Sequence, residues 1–218
     1  MPPSPPHRKY AVIYADPPWW FATYSAKGRG RCADAHFDCL GLDELLALPV
    51  ETWAAKDSAL FLWTTDPMLS QALEVIRAWG FKYKTVAFYW AKLNKAAPGL
   101  CFTERDFFTG LGYWTRANAE QCLLATRGAP KRRAKDVRRL LVAPRREHSR
   151  KPDAVYERIE RLVEGPYLEL FARNTRPGWD NWGDEVGLFD RGPVHTRRWP
   201  SAGPSPEGVA AQASLAFS

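Results

Sequence analysis

Long apolar runs are missing from this chain. None of its hydrophobic stretches reaches the length needed to cross a bilayer. Its first ten residues, MPPSPPHRKY, hold no apolar segment of the kind a secretory signal requires, so a cytoplasmic protein is expected. Cysteine is scarce as well. The four cysteines, Cys32, Cys39, Cys101 and Cys122, include no C-x-x-C pair, which speaks against a disulfide framework and for reduced thiols. One zinc alternative is present in CADAHFDC, where Cys32, His36 and Cys39 are near one another, but the spacing is irregular and a second ligand pair is lacking. A glycine-rich phosphate loop is also wanting. Gly110 and Gly112 in FTGLGYW imitate a G-x-G fingerprint without the strand-loop-helix setting that gives it meaning. Internal repeats are absent too.

What is present is an ordinary globular composition with a localised charge. Of 218 residues, 45% are hydrophobic and 25% charged, enough for one domain with a sizeable core. The net charge of +7 is unevenly spread. Residues 127–151, RGAPKRRAKDVRRLLVAPRREHSRK, carry eleven Lys or Arg against two acids, whereas the rest of the chain is slightly acidic. A local excess of this size is the footprint expected for a polyanion partner, although a solvated basic loop would look the same.

Apolar periodicity divides the chain into alternating strands and helices. YAVIYA (10–15), SALFLWTT (58–65), KTVAFYW (84–90), AEQCLLATRG, VRRLLVAP and YLELFA (167–172) read as strands, YLELFA being the last. Residues 42–48 read as a short helix. PMLSQALEVIRAWG places Leu69, Ala72, Leu73, Ile76 and Trp79 on one helical face and ends at Gly80. KPDAVYERIERLVEG is a helix with Pro152 near its first turn and Val155, Tyr156, Ile159, Leu162 and Val163 as its apolar face. Residues 91–112 have no period and read as a functional loop or lid. Residues 1–9 are expected to be a flexible terminus, 10–189 a single domain and 190–218 a largely disordered tail rich in Pro, Gly, Ala and Ser. Near-continuous apolar strands alternating with helices imply an α/β fold, a mainly parallel sheet covered on both faces. Ligands of such sheets bind beyond the carboxyl ends of the strands, where Asp16 and Arg173 fall.

The stretch ADPPWW follows the first strand directly. Two prolines restrict the backbone beside the acid, so Asp16-Pro17-Pro18 is a stiff extended turn with its carboxylate and carbonyls held in fixed places. All are acceptors, suited to a donor with two hydrogens such as an exocyclic amine. The aromatic rings of Trp19 and Trp20 can lie against a planar heterocycle. The structural alternative is a turn whose tryptophans plug the core.

DPPW at a strand end, followed in order by HSRKPDAVYERIERL, LELFAR and RPGWDNWGDEV, closely resembles the adenine-N(6) methyltransferases that include the catalytic subunit of the eukaryotic mRNA methyltransferase and its bacterial and phage relatives. The resemblance runs from about residue 10 to 188. It implies a Rossmann-like class I fold dependent on S-adenosylmethionine, with permuted motif order, the catalytic motif preceding the cofactor segment. It implies that Asp16 and the Pro17 carbonyl accept hydrogen bonds from the adenine amine, that Pro18 holds the loop and that Trp19 packs against the base. Asp16, Lys151, Arg173, Asn174, Asp184 and Glu185 match cofactor-lining positions, the last two facing a ribose. Trp20, His36, Phe37, Lys92 and Asn94 match the acceptor side, and Arg132, Arg133, Arg145 and Arg146 would hold a nucleic-acid backbone. Glu169, an acid within an apolar strand, needs a partner, and Lys151 is the candidate.

The chain departs from the family pattern at four places. Phe37 stands where tyrosine is common, Arg150 where histidine is common and Asp184 where asparagine is common, and only nine residues precede the first strand. The expected activity is methylation of adenine in nucleic acid, DNA ahead of RNA, with no membrane partner and with homo- or hetero-dimers left open. The competing expectation is a non-catalytic nucleic-acid-binding subunit, which the intact DPPW motif opposes.

Overall fold

Strands buried on both faces need apolar residues at odd and even positions alike, and the first strand supplies them. In the computed structural model, which describes residues 8–19, 40–97, 101–146 and 150–190, β1 is Tyr10–Ala15. Ile13 and Ala15 point into one core cluster and Val12 and Tyr14 into the other. Six further strands complete one sheet: β2 Ala54–Thr64, β3 Lys82–Leu93, β4 Glu120–Arg127, β5 Leu140–Pro144, β6 Tyr167–Leu170 and β7 Trp179–Trp182. Their order across the sheet is β5-β3-β4-β2-β1-β6-β7. All neighbours pair in parallel except β4, which runs antiparallel to both β2 and β3. The mainly parallel α/β sheet read from the sequence is therefore the observed one, with a single reversed strand near its middle.

Helices cover both faces. On one side lie α1 (Leu42–Leu46), α2 (Val50–Trp53) and α3 (Leu69–Ala78), which bury Leu45, Val50, Ala72, Val75 and Ile76. The α3 face differs slightly from the predicted stripe, because Val75 is buried and Leu69 is half out. Gly80 ends the helix at φ 79°, a conformation that favours glycine. On the other side α4 (Ala154–Leu162) buries Val155, Tyr156 and Ile159 as its spacing predicts. Fully burying a side chain of this size contributes about 1.5–3 kcal/mol, so these two apolar faces pin the helices to the sheet.

Two elements differ from the pattern expected of the sequence. α2 is one short turn, and β7 is a four-residue strand with polar residues at its centre, so YLELFA is not the last strand. β2 also starts earlier and β3 ends later than expected, which moves Lys92 out of the predicted loop and into a strand. Among the described residues no helix is long and apolar enough to cross a membrane. The Cys32, His36 and Cys39 alternative, Trp20 and Phe37, and the segments 1–7 and 191–218 lie outside the described residues.

Candidate active site

Six strands point their carboxyl ends at one edge of the sheet, and β4, running the other way, brings its amino end to that edge. Asp16 follows β1, Arg173 follows β6 by three residues, Lys92 lies near the end of β3, and Glu120 opens β4. Lys151 sits between β5 and α4 and is only 8% exposed.

These five side chains form one chain of charge. The Lys151 ammonium donates to both Asp16 oxygens, at 2.8 and 2.7 Å, and lies 3.2 Å from Glu120 Oε2. Arg173 Nη2 donates to Asp16 Oδ2 at 2.8 Å. Lys92 donates to Glu120 Oε1. Burial alone would pull the Lys151 ammonium down, but Asp16 and Glu120 outweigh it and raise it above the ordinary lysine range. Burial would likewise raise the Glu120 carboxyl, yet Lys151 and Lys92 bring it down to about 2. Both carboxylate–ammonium contacts are shielded from water, where removing one member leaves the other uncompensated.

The aromatic floor beneath the cluster explains part of its rigidity. Trp63 Nε1 donates to the Tyr14 hydroxyl at 2.8 Å, and the Lys151 ammonium lies 5.3 Å from the Trp63 ring centroid. Trp19 belongs to the same support. It is 6% exposed, its indole N–H donates to the Trp63 carbonyl at 2.9 Å, and its backbone pairs with Leu40. The expected ring for stacking on a base is here an anchor that ties the Asp-Pro-Pro turn to the core. The Pro17 carbonyl accepts the Trp19 N–H at 2.9 Å, and the Pro18 carbonyl accepts that of Leu40 at 3.0 Å.

Arg173 is set by two unusual backbone features. Phe171 has φ 60°, a left-handed conformation rare for an aromatic residue. Gly183, just past β7, passes so close that a Cβ there would stand 2.9 Å from the Ala172 nitrogen. The turn carrying Asp184 and Glu185 then folds back, and the Phe189 N–H donates to the Arg173 carbonyl at 3.0 Å. Asp184, Glu185 and Asn174 are thus all at the site edge.

Glu169 is a second buried acid, and its expected partner is wrong. Lys151 is engaged by Asp16 and Glu120, and Glu169 Oε1 instead accepts the Tyr156 hydroxyl at 2.8 Å. Its other oxygen is buried and has no hydrogen-bond partner among the described residues, and the same holds for Oδ1 of Asn181, the residue beside it on β7. Burial, the largest influence, pushes the Glu169 carboxyl up to about 8.

The basic segment is divided by the fold. Arg145 and Arg146 follow the carboxyl end of β5 and reach the site edge. The Arg145 guanidinium lies 3.6 Å from the Phe108 ring centroid, and Arg146 pairs with Asp153. Arg132 and Arg133 belong to the connection between the far end of β4 and the start of β5, which runs along the opposite edge. There the Arg133 N–H donates to the carbonyl of Leu162, at the end of α4. These two are not brought to Asp16. Asn94 lies near the site, but its side-chain amide donates to the Arg105 and Phe107 carbonyls and so holds a loop. Glu120 is a member of the site that sequence reasoning does not find. Nothing marks it there, because its placement depends on the direction of β4.

The chain is 36% identical over 202 residues to the Type II methyltransferase M.MunI of a Mycoplasma species, covering 84% of this chain and 81% of that protein. It is 32% identical over 181 residues to the Arabidopsis thaliana N(6)-adenosine-methyltransferase MT-A70-like protein, and 31% identical over 188 residues to the human N(6)-adenosine-methyltransferase catalytic subunit METTL3. These matches cover 81% and 82% of this chain but only 24% and 28% of those longer proteins. The MT-A70 family profile matches residues 10–185, from the first residue of β1 to the turn after β7, and the chain therefore belongs to the MT-A70 family.

Proposed function

We propose that this chain methylates the exocyclic 6-amino group of adenine in nucleic acid, using S-adenosylmethionine, with DNA as its acceptor. The observation that carries the reading is the Asp16 carboxylate, fixed between Lys151 and Arg173 at the carboxyl end of β1 and followed by a rigid diproline. S-adenosylmethionine, when bound, supplies a methyl group on a positively charged sulfur. Asp16 would accept one N–H of the adenine amine. The Pro17 carbonyl, with one lone pair on the Trp19 N–H, has a second for the other hydrogen. Two fixed acceptors favour the pyramidal amine whose lone pair is available for attack, so the work is positioning and electrostatic preorganisation.

The residues present fit the cofactor in kind. Its amino-acid tail carries an ammonium, and the buried, unpartnered Glu169 oxygen is an acceptor for such a donor. Lys151 and Arg173 are cations suited to its carboxylate, and Asp184 and Glu185 offer acceptors for ribose hydroxyls at the same edge. Arg145 and Arg146 would meet a nucleic-acid backbone there.

The DNA preference is supported by the Type II methyltransferase, which matches over most of its own length, whereas the N(6)-adenosine-methyltransferases match over about a quarter of theirs. RNA is the second reading, supported by the names of those longer relatives. The test is transfer of tritium from labelled S-adenosylmethionine to double-stranded DNA, single-stranded DNA and RNA in parallel, with product nucleosides identified by mass. Label in 6-methyladenine from DNA is expected. Label from RNA alone would replace the acceptor, and a chain that binds neither cofactor nor acceptor would defeat the enzyme reading.

A further inference from the structure

The segment between β3 and β4 holds its base tightly and its tip outward. At the base, the Phe108 N–H donates to the Lys92 carbonyl at 2.8 Å, the Asn94 N–H to the Asp106 carbonyl at 2.8 Å, and the Asn118 amide to the Lys92 carbonyl at 3.0 Å. The Arg145 guanidinium lies over the Phe108 ring. Higher up, the Gly110 N–H donates to the Ala117 carbonyl at 2.8 Å and the Thr115 N–H to the Tyr113 carbonyl at 2.8 Å. Gly112 permits the closure, since a Cβ there would stand 2.0 Å from the Thr115 oxygen. Above these bonds Trp114 is 93% exposed and sits at φ 67°, with Tyr113 beside it at 73% exposure.

An indole held in water on a left-handed backbone is unfavourable twice over, in forgone burial and in strain. A braced loop that keeps it there calls for an occupant. The position identifies one. The loop springs from Lys92 and returns two residues after Asn118 into Glu120, the two members of the charge chain that leads through Lys151 to Asp16. Arg105 and Arg116, in the same loop, are exposed. An exposed aromatic face on a loop that also carries exposed cations and is rooted beside the proposed adenine site matches a stacked nucleobase and its phosphates.

Resting on the adenine-methyltransferase reading above, we infer that Trp114 enters a DNA duplex and stacks in the space vacated when the target adenine turns out toward Asp16. A base buried in a duplex cannot reach a carboxylate at a sheet edge without leaving its stack, and a large planar side chain in the gap offsets the broken stacking. A single strand needs no such filler. Dependence on Trp114 therefore belongs to duplex substrates alone.

The test compares the full-length protein with Trp114→Ala and Trp114→Phe, measuring tritium transfer into native and heat-denatured samples of the same genomic DNA. Cofactor binding by calorimetry shows that each variant is folded. Trp114→Ala should lose at least tenfold in kcat/KM on native DNA and less than twofold on denatured DNA, and Trp114→Phe should recover most of the loss. Equal losses on both forms, or none on either, would overturn the inference. So would a loss that tracks dissociation of a dimer in light scattering, which would assign the tip to a second copy of this chain. Wild-type protein that labels only RNA would overturn it while leaving the adenine chemistry standing, and wild-type protein that labels nothing would remove the reading on which it rests.

Discussion

Lys151 grips both oxygens of the Asp16 carboxylate, at 2.8 and 2.7 Å, across 135 residues of sequence. The contact fixes where Asp16 points, and it makes the acid a structural member of the site as well as a proposed acceptor. Asp16→Asn should therefore abolish methyl transfer while keeping the shape of the turn. Asp16→Ala should do the same, and both variants should lose stability, by about 3 kcal/mol, because two shielded cations lose their shared anion. Transfer assays and chemical denaturation of both variants check this. Normal methylation by Asp16→Asn would refute the proposed role.

Glu120 acts on Asp16 only through Lys151. Glu120→Gln removes one of the two anions on that ammonium and frees it to shift, and displacements near 1 Å at such sites cost roughly 100-fold in rate. The expected result is a large fall in kcat/KM. Asp or Gln at this position should then differ, with Glu120→Asp retaining more activity. Equal activity in the two variants would show that charge at Glu120 is unimportant.

Glu169 should give the protein a distinctive pH profile. Its carboxyl is raised from the ordinary 4.5 to about 8, so the folded state favours the neutral form. Stability from this group is complete below about pH 4.5 and is lost as pH rises through 8, by at most about 1.4 kcal/mol per unit. Glu169→Gln removes that slope and keeps an acceptor for Tyr156. Melting temperatures from pH 5 to 9 should converge at the acid end and separate at the basic end, with the variant more stable there. Parallel curves would show that Glu169 does not titrate in this range.

The divided basic segment makes a prediction that net charge alone does not. Arg145→Ala with Arg146→Ala should weaken DNA binding and flatten its salt dependence, by about one unit of log–log slope for each phosphate no longer neutralised. Arg132→Ala with Arg133→Ala, equal in charge, should leave the slope of catalytically productive binding in place. Salt titrations of kcat/KM on DNA separate the two pairs. Identical slopes would mean that the opposite edge also carries the substrate.

The contrast between these residues shows what can be read from sequence and what cannot. Asp16 announces itself, because an acid before two prolines at the end of an apolar strand is a local pattern with a local cause. The strands and the face of α4 are legible for the same reason, since their periodicity lies within a few residues. Glu120 carries no local signal. It reaches the site because β4 alone runs backward, which brings its first residue to the edge where the other strands end. The basic run looks continuous, yet β5 lies inside it, and a five-residue strand separates its ends by roughly 16 Å. β7 is hidden because four residues with a polar centre are stabilised by their neighbour β6, not by their own composition. Trp19 needs the structure as well, since an indole at a turn reads equally as a stacking ring or a plug.

The placement of β1 sets an order on how the site comes into being. The first strand made lies between β2 and β6 and pairs in parallel with both. One edge of β1 thus waits through most of synthesis for a partner near the end of the fold, and Arg173, 157 residues after Asp16, arrives with it. Pairings this distant in sequence make for slow assembly, because chain-closure entropy is spent before the contact forms. A nascent chain halted before β6 holds Asp16, Lys92, Glu120 and Lys151 but lacks Arg173, so the charge cluster is completed only with the last strands.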